Sequence, residues 1–319
     1  MIDLARIIHG IKERLPGGGI YDRRKMCLGN DDFLKLYSWY YNEIYFKGRR
    51  NVKIKEDILK GDYFEFCGLS FPVPKTESDF KTLMVETPDL LFPYRFRNDN
   101  FDYTVIEKYF DEGPYEIDEN VCLNKGDIVI DCGANMGLFS NIALAKFCEV
   151  YAFEPSKAMK TRYLDNYSSS SLHVEEYALS DWTDQEIEFI EEIEQEGASY
   201  LAGIEDKGAG YYAFASKLKR AKAGNSTISY KINTITLDDW VQKYSIKKVD
   251  FIKADIEGSE RFMLRGATSV LRNFAPKLSI CTYHFKDDPR VLENIIRQAN
   301  PNYIIEHKYK KLYAYVPKK

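Results

Sequence analysis

Apolar residues recur along this chain with spacings that change from one part to the next. Leu4, Ile7, Ile8, Ile11 and Leu15 fall at helical intervals, as do Phe33, Leu36, Tyr37, Tyr40, Tyr41 and Ile44, which predicts two amphipathic helices near the start. Asp31 is placed to cap the second and Gly48 to end it. Between about Val52 and Pro74 the pattern turns to short β-rich runs such as Tyr63-Phe64-Glu65-Phe66-Cys67, with Gly68 as a turn and Pro72 and Pro74 as breakers. A further helix is expected from near Ser78.

From Gly126 onward short apolar strands alternate with helical stretches, as in an open parallel α/β sheet. Strands are predicted at Ile128–Asp131, Val150–Phe153, Val174–Tyr177, Asp250–Ala254 and Leu278–Cys281, with helices after the first, second, fourth and fifth. Tyr303–Glu306 and Leu312–Tyr315, parted by the polar turn around Lys308–Lys311, read as a terminal β-hairpin. The stretch from Thr183 to Thr227 breaks the alternation with an acidic run (Glu186, Glu188, Glu191, Glu192, Glu194, Glu196), then glycines, then Lys217, Lys219, Arg220 and Lys222. A loop of that length reads either as a lid over an acceptor or as a solvated excursion. The division expected is an extension over 1–109 and an α/β domain over 110–319 with an insertion at 183–227.

At 319 residues the chain exceeds the usual domain of roughly 100–200 residues, which leaves room for both parts. A net charge of −4 gives no general attraction to nucleic acid, so no DNA partner is expected. The basic run His307-Lys-Tyr-Lys-Lys311 reads either as an RNA-binding surface or as a solvated hairpin turn, and the acidic balance favours the turn. Six cysteines lie scattered without C-x-x-C spacing, which suits free thiols in a reducing cytoplasm. Asp3 and Arg6 interrupt the apolar start where a signal peptide would be uncharged. The least charged long stretch, Ile128 to Ala145, contains Asp131, Asn135 and Asn141, so a buried strand and helix are expected there and not a membrane span.

Candidate chemistry gathers at predicted strand ends. In Asp131-Cys-Gly133-Ala-Asn135-Met-Gly137 a strand runs into a glycine turn that opens a helix, and the glycines let backbone approach a ligand closely. Their spacing differs from the G-x-G-x-x-G of a dinucleotide fold, which argues against a nicotinamide-dependent oxidoreductase or epimerase. Glu154 ends the next strand, where a carboxylate can accept both hydroxyl protons of an adenosine ribose, and Asp181 is placed to meet the adenine amino group. Asp255 and Glu257 stand two positions apart at a further strand end, where they repel each other unless a cationic ligand, a metal or a proton intervenes. His284 ends the fifth strand at the same edge, if strand order is adjacent.

Together these residues resemble the FkbM family of methyltransferases. The resemblance rests on Glu112-Gly-Pro-Tyr-Glu116, Gly126 through Gly137, Phe153-Glu-Pro155, Ala178-Leu-Ser-Asp181, Ile235-Thr-Leu-Asp-Asp-Trp240 and Asp250 through Glu260, and spans roughly 110 to 316. It implies an α/β, Rossmann-like methyltransferase fold: a mostly parallel seven-stranded sheet with a terminal antiparallel hairpin, here carrying an N-terminal α+β extension. It also implies S-adenosylmethionine as methyl donor and O-methylation of a carbohydrate or other small-molecule hydroxyl. On that reading Gly133, Asn135 and Gly137 line the donor's methionine part, Glu154 its ribose, Asp181 its adenine and Asp255 its positive charge, with Asp131 a further donor-binding residue. His284 is then the general base, assisted by Asp255 or Glu257. The same Asp255, Glu257 and His284 fit a divalent metal as an alternative. The aromatic N-terminal helices suit covering the acceptor site, pairing with a second copy as a homodimer, or docking to a partner.

Overall fold

The computed structural model describes residues 63–66, 69–75, 79, 82–83, 86, 89–90, 112–192, 199–202 and 227–317. The two expected N-terminal helices lie outside these residues, as do Ser78 and the Lys217–Lys222 cluster. Of the extension, strands β1 (Tyr63–Phe66) and β2 (Leu69–Pro72) pair antiparallel, and the backbone is helical at Asp79, Thr82, Leu83, Glu86, Asp89 and Leu90.

The central sheet has seven strands. In chain order they are β3 (Ile128–Cys132), β4 (Glu149–Phe153), β5 (Leu172–Glu175), β10 (Phe251–Ala254), β11 (Lys277–Cys281), β12 (Ile304–Lys308) and β13 (Lys311–Tyr315). Their spatial order is β12-β13-β11-β10-β3-β4-β5, with only β13 antiparallel to its neighbours. The chain moves outward from β3 through β4 to β5, then returns to the other side of β3 with β10. That reversal opens a crevice at the carboxyl ends of β3 and β10, where open α/β sheets bind ligands.

Both faces of the central strands β3, β10 and β11 are covered, so nearly every position there is buried, whereas the edge strands β5 and β12 are partly exposed. Val129, Val150 and Phe251 point to one face, where helix α1 (Leu138–Ala145) packs together with Phe71, Leu83 and Leu90 of the extension. Ile130, Ile252, Leu278 and Ile280 point to the other, against α3 (Leu237–Lys243), α4 (Glu260–Arg265), α5 (Thr268–Asn273) and α6 (Asp288–Ala299). Helix α2 (Lys157–Arg162) follows β4, its first turn capped by the Ser156 hydroxyl, which accepts from Met159 N–H. Trp240 of α3 is fully buried and meets Tyr151 and Phe153 edge-on at 4.8 and 5.2 Å.

Two expectations need correction. The third strand ends at Glu175 and not at Tyr177, because its partner β4 ends at Phe153 and offers no further register position. The segment after it, β6 (Ala178–Leu179), joins a second, four-stranded sheet in the order β6-β9-β7-β8 with β9 (Thr227–Ile235), β7 (Glu186–Glu192) and β8 (Ser199–Ala202). The start of the supposed insertion is therefore a strand: Ile187 and Phe189 are buried against Ala178 and Ile232 while Glu186 and Glu188 face outward. The remainder of the proposed lid, 193–198 and 203–226, lies outside the described residues. Among the described residues no helix is long and apolar enough to cross a membrane.

Trp240→Ala should lower stability by about 3–5 kcal/mol, read from the midpoint of urea unfolding, because a large buried aromatic leaves a cavity that the sheet cannot collapse into.

Candidate active site

Strand β3 enters the crevice through Asp131, which is fully buried and in register with Lys253 of β10. In a parallel pair, residues in register point to the same face, and here the ammonium lies 3.1 Å from the Asp131 carboxylate. The other Asp131 oxygen accepts from the Ser140 hydroxyl in α1 at 2.6 Å. Asp131 thus braces the loop, whatever further contact it makes to a donor. Burial opposes the charge on Lys253, but Asp131 and Asp255 outweigh burial and hold its pKa above the usual lysine value.

Lys253 also donates to the Gly133 carbonyl at 2.6 Å, which fixes the turn. Gly133 has φ +78°, and a Cβ there would lie 2.0 Å from the Asp255 carbonyl oxygen, so no other residue fits. Gly137, at φ +75°, caps α1 where a Cβ would meet Leu164 and Tyr167 within 3.0 Å. Between them Asn135 turns at φ 50°, with its side-chain Oδ1 buried and lacking a hydrogen-bond partner among the described residues.

Glu154, at the end of β4, accepts from Asn135 N–H at 2.7 Å and Ser156 N–H at 2.8 Å. Burial pushes its pKa up to about 7, with these amides pulling the other way. The glycine turn and Glu154 are thus one hydrogen-bonded unit. Asp181 follows β6, outside the central sheet. It forms a long ion pair with Arg265 at 3.8 Å and accepts from the Ser180 hydroxyl at 3.4 Å.

Strands β10 and β11 are adjacent, so His284 does meet the acidic strand end. Its side chain is 2% exposed, with Nδ1 3.2 Å from Glu260, and Nε2 3.5 Å from Asp255 and 3.7 Å from Glu257. Burial lowers the imidazole pKa, but Glu260 first and then Asp255 and Glu257 overcome it and raise it to about 10. With the cleft as it stands these carboxylates favour the protonated ring, which weighs against His284 as the general base. Burial would raise Asp255, but His284, Lys253 and Lys311 hold its pKa low.

Several residues of this wall carried no assignment from sequence. Tyr283 and Tyr115 donate to the two Asp255 oxygens at 2.9 and 3.2 Å. Asp89 accepts from Glu112 N–H and Gly113 N–H, while Lys311 donates to the carbonyls of both, so the Glu112–Tyr115 turn is pinned between the extension and β13. Burial raises Glu86 to about 8 against the pull of Lys253, and raises Glu112 to about 7 with Asp255 adding to it. Glu112 and Tyr115 sit in the Glu112–Glu116 motif and could have been found there; Glu86 has no local signal at all.

Lys253→Met should cost about 3–5 kcal/mol in denaturant unfolding, because it leaves the Asp131 carboxylate buried without its cation. Adding Asp131→Leu should recover part of that loss; a double variant as unstable as the single one would contradict the pairing.

The sequence profile described as the methyltransferase FkbM domain matches residues 131–313. Among solved structures, an FkbM methyltransferase from Methylobacillus flagellatus KT is similar at 21% identity and a TM-score of 0.41, covering 75% of this chain and 55% of that one. The chain thus spans about half the length of that relative. A precorrin-6y C5,15-methyltransferase from Geobacter metallireducens GS-15 is similar at 12% identity and TM-score 0.32, covering 60% and 79% of the two chains. Aeropyrum pernix fibrillarin, solved with natively bound S-adenosyl-L-methionine, is similar at 11% identity and TM-score 0.30, covering 60% and 67%. No curated protein matches significantly. With more than half of the chain under the family profile, and that profile beginning at the buried Asp131 which anchors the glycine turn, the chain belongs to the FkbM methyltransferase family.

Proposed function

We propose that this chain is an O-methyltransferase that moves a methyl group from S-adenosylmethionine to a hydroxyl of a small carbohydrate-like acceptor. The observation that carries the donor assignment is the Gly133–Gly137 cradle, with an orphaned Asn135 Oδ1 beside the buried Glu154 carboxylate. A buried acceptor atom with no donor calls for one, and the ammonium of an amino-acid moiety supplies it. Glu154 still has lone pairs for two ribose hydroxyls, and Asp181 is left to meet the adenine amino group.

When bound, the donor supplies a methyl already activated on a sulfonium. The protein's tasks are alignment, exclusion of water and removal of the acceptor's proton. Tyr115 and the Glu112 turn, clamped by Lys311 and Asp89, wall off the crevice from the side of the extension. Carboxylates and tyrosines along that wall, with Glu112 and Asp255 sharing one cluster with Cys281, can accept hydrogen bonds from a polyhydroxyl acceptor and aim one oxygen. Glu112 is the carboxylate placed to receive the proton in place of the imidazolium of His284.

Calorimetric titration with S-adenosylhomocysteine should show one site per chain, and NAD should give no heat. Because ribose hydroxyls donate to the ionised form of Glu154, affinity should rise about tenfold between pH 6 and pH 8 as that group loses its proton. In Glu154→Gln the affinity should be weaker and flat over that range; an unchanged pH profile would remove Glu154 from the ribose site. The acceptor is read by incubating the chain with labelled donor and fractionated cell extract, where label should enter a carbohydrate fraction.

A further inference from the structure

We infer that Asp255, Glu260 and His284 form a divalent-cation site of the Mn²⁺ or Mg²⁺ type, set beside the donor cradle at the mouth of the crevice. One ligand atom from each of the three lies within 4.8 Å of the others. The His284 side chain is 2% exposed, with Nδ1 paired to Glu260 at 3.2 Å and Nε2 without a hydrogen-bond partner among the described residues. Glu260 is equally buried: its Oε1 accepts from Ile256 N–H, and its Oε2 has no hydrogen-bond partner among the described residues. Buried polar atoms are nearly always satisfied, so the orphaned His284 Nε2 and Glu260 Oε2 in one cluster point to a bound ligand, and a divalent cation taking the imidazole lone pair would displace the ring proton that the carboxylates otherwise hold.

The spacing agrees. Asp255 lies 3.5 Å and Glu257 3.7 Å from His284 Nε2, too far for hydrogen bonds. Two ligands around one ion, each at roughly 2.0–2.3 Å, stand about 3–3.5 Å apart, so a small contraction of the cluster would complete the shell. The charges agree as well. Three carboxylates face one imidazole, while Lys253 is held by Asp131 and the Gly133 carbonyl and Lys311 by the Glu112 and Gly113 carbonyls. Arg261, on the same helix, is held by Asp287 and Asp288. Tyr283 and Tyr115 orient the Asp255 oxygens as outer partners of metal-binding carboxylates commonly do. Carboxylate oxygen with one imidazole nitrogen suits Mn²⁺ or Mg²⁺ better than an ion that prefers thiolates.

The side chains of Asp255 and Glu257 remain 20% and 33% exposed, which leaves room for water or an acceptor hydroxyl on the ion. In that last role the inference rests on the methyl-transfer reading; cation binding itself does not.

The test uses the full chain, stripped with a chelator and titrated with Mn²⁺ alone by electron paramagnetic resonance. One equivalent should bind, with nitrogen coupling from a single imidazole in the electron spin-echo modulation. Binding should weaken at least tenfold in His284→Ala and in Glu260→Gln, with Asp255→Asn as a third variant should either fail to fold. S-adenosylhomocysteine affinity, measured on the same stripped protein, reports whether each variant keeps its fold and donor site. Absence of bound Mn²⁺ in the wild-type chain, absence of nitrogen coupling, or undiminished binding in His284→Ala would overturn the cation site. Failure to bind S-adenosylhomocysteine would instead overturn the donor assignment and leave the cation result standing.

Discussion

The ion pair between Asp131 and Lys253 lies where the sheet reverses its order, and the site is assembled around it. Strands β3 and β10 are far apart in sequence and become neighbours only because the chain returns to the centre of the sheet. A buried charge on either strand alone would be strongly unfavourable, whereas in register they satisfy each other. Their remaining hydrogen-bonding capacity goes to the two things that shape the crevice. Lys253 holds the Gly133 carbonyl, and Asp131 holds Ser140 in the first turn of α1. One contact thus couples strand, turn, helix and neighbouring strand, and in return it specifies the register that aligns Asp255 with the glycine turn.

Around that anchor the crevice is acidic on every side. Glu154 comes from β4, Asp255 and Glu257 follow β10, Glu260 opens α4, and Glu112 arrives with the segment leading into the domain. Such crowding is unfavourable for an empty pocket, and the structure moderates it in several ways. Glu86, Glu112 and Glu154 are pushed by burial toward their neutral forms, His284 is held as a cation, and Tyr115 and Tyr283 donate to Asp255. A site built this way gains most from positively charged ligands. That preference suits both the proposed sulfonium donor and the proposed divalent cation.

The extension also takes part. Asp89 grips the backbone of Glu112 and Gly113, and Phe71, Leu83 and Leu90 pack into the same core as α1. The division near residue 110 is therefore a change in sequence pattern that the hydrophobic core does not respect. The Glu112 side of the crevice is made jointly by the two parts.

What the sequence determined by itself is whatever depends on short-range periodicity and local backbone demands. The apolar runs of β3, β4, β10 and β11, the helices between them and the terminal hairpin are all legible, because a two-sided buried sheet leaves an unmistakable pattern. Gly133 and Gly137 are legible for a related reason, since a turn that excludes a Cβ selects its residue locally. Strand β7 carried the same kind of signal in the alternation of Glu186, Ile187, Glu188 and Phe189, but the number of acids hid it. Only the tertiary structure decided what the charged residues do. Asp131 proved to brace the glycine turn through Lys253 and Ser140, His284 proved to be ringed by three carboxylates, and Glu86 and Glu112 proved to belong to the crevice. The protonation and role of a charged group depend on which other charges fold within a few ångströms of it and how much water is left between them, and a linear sequence records neither.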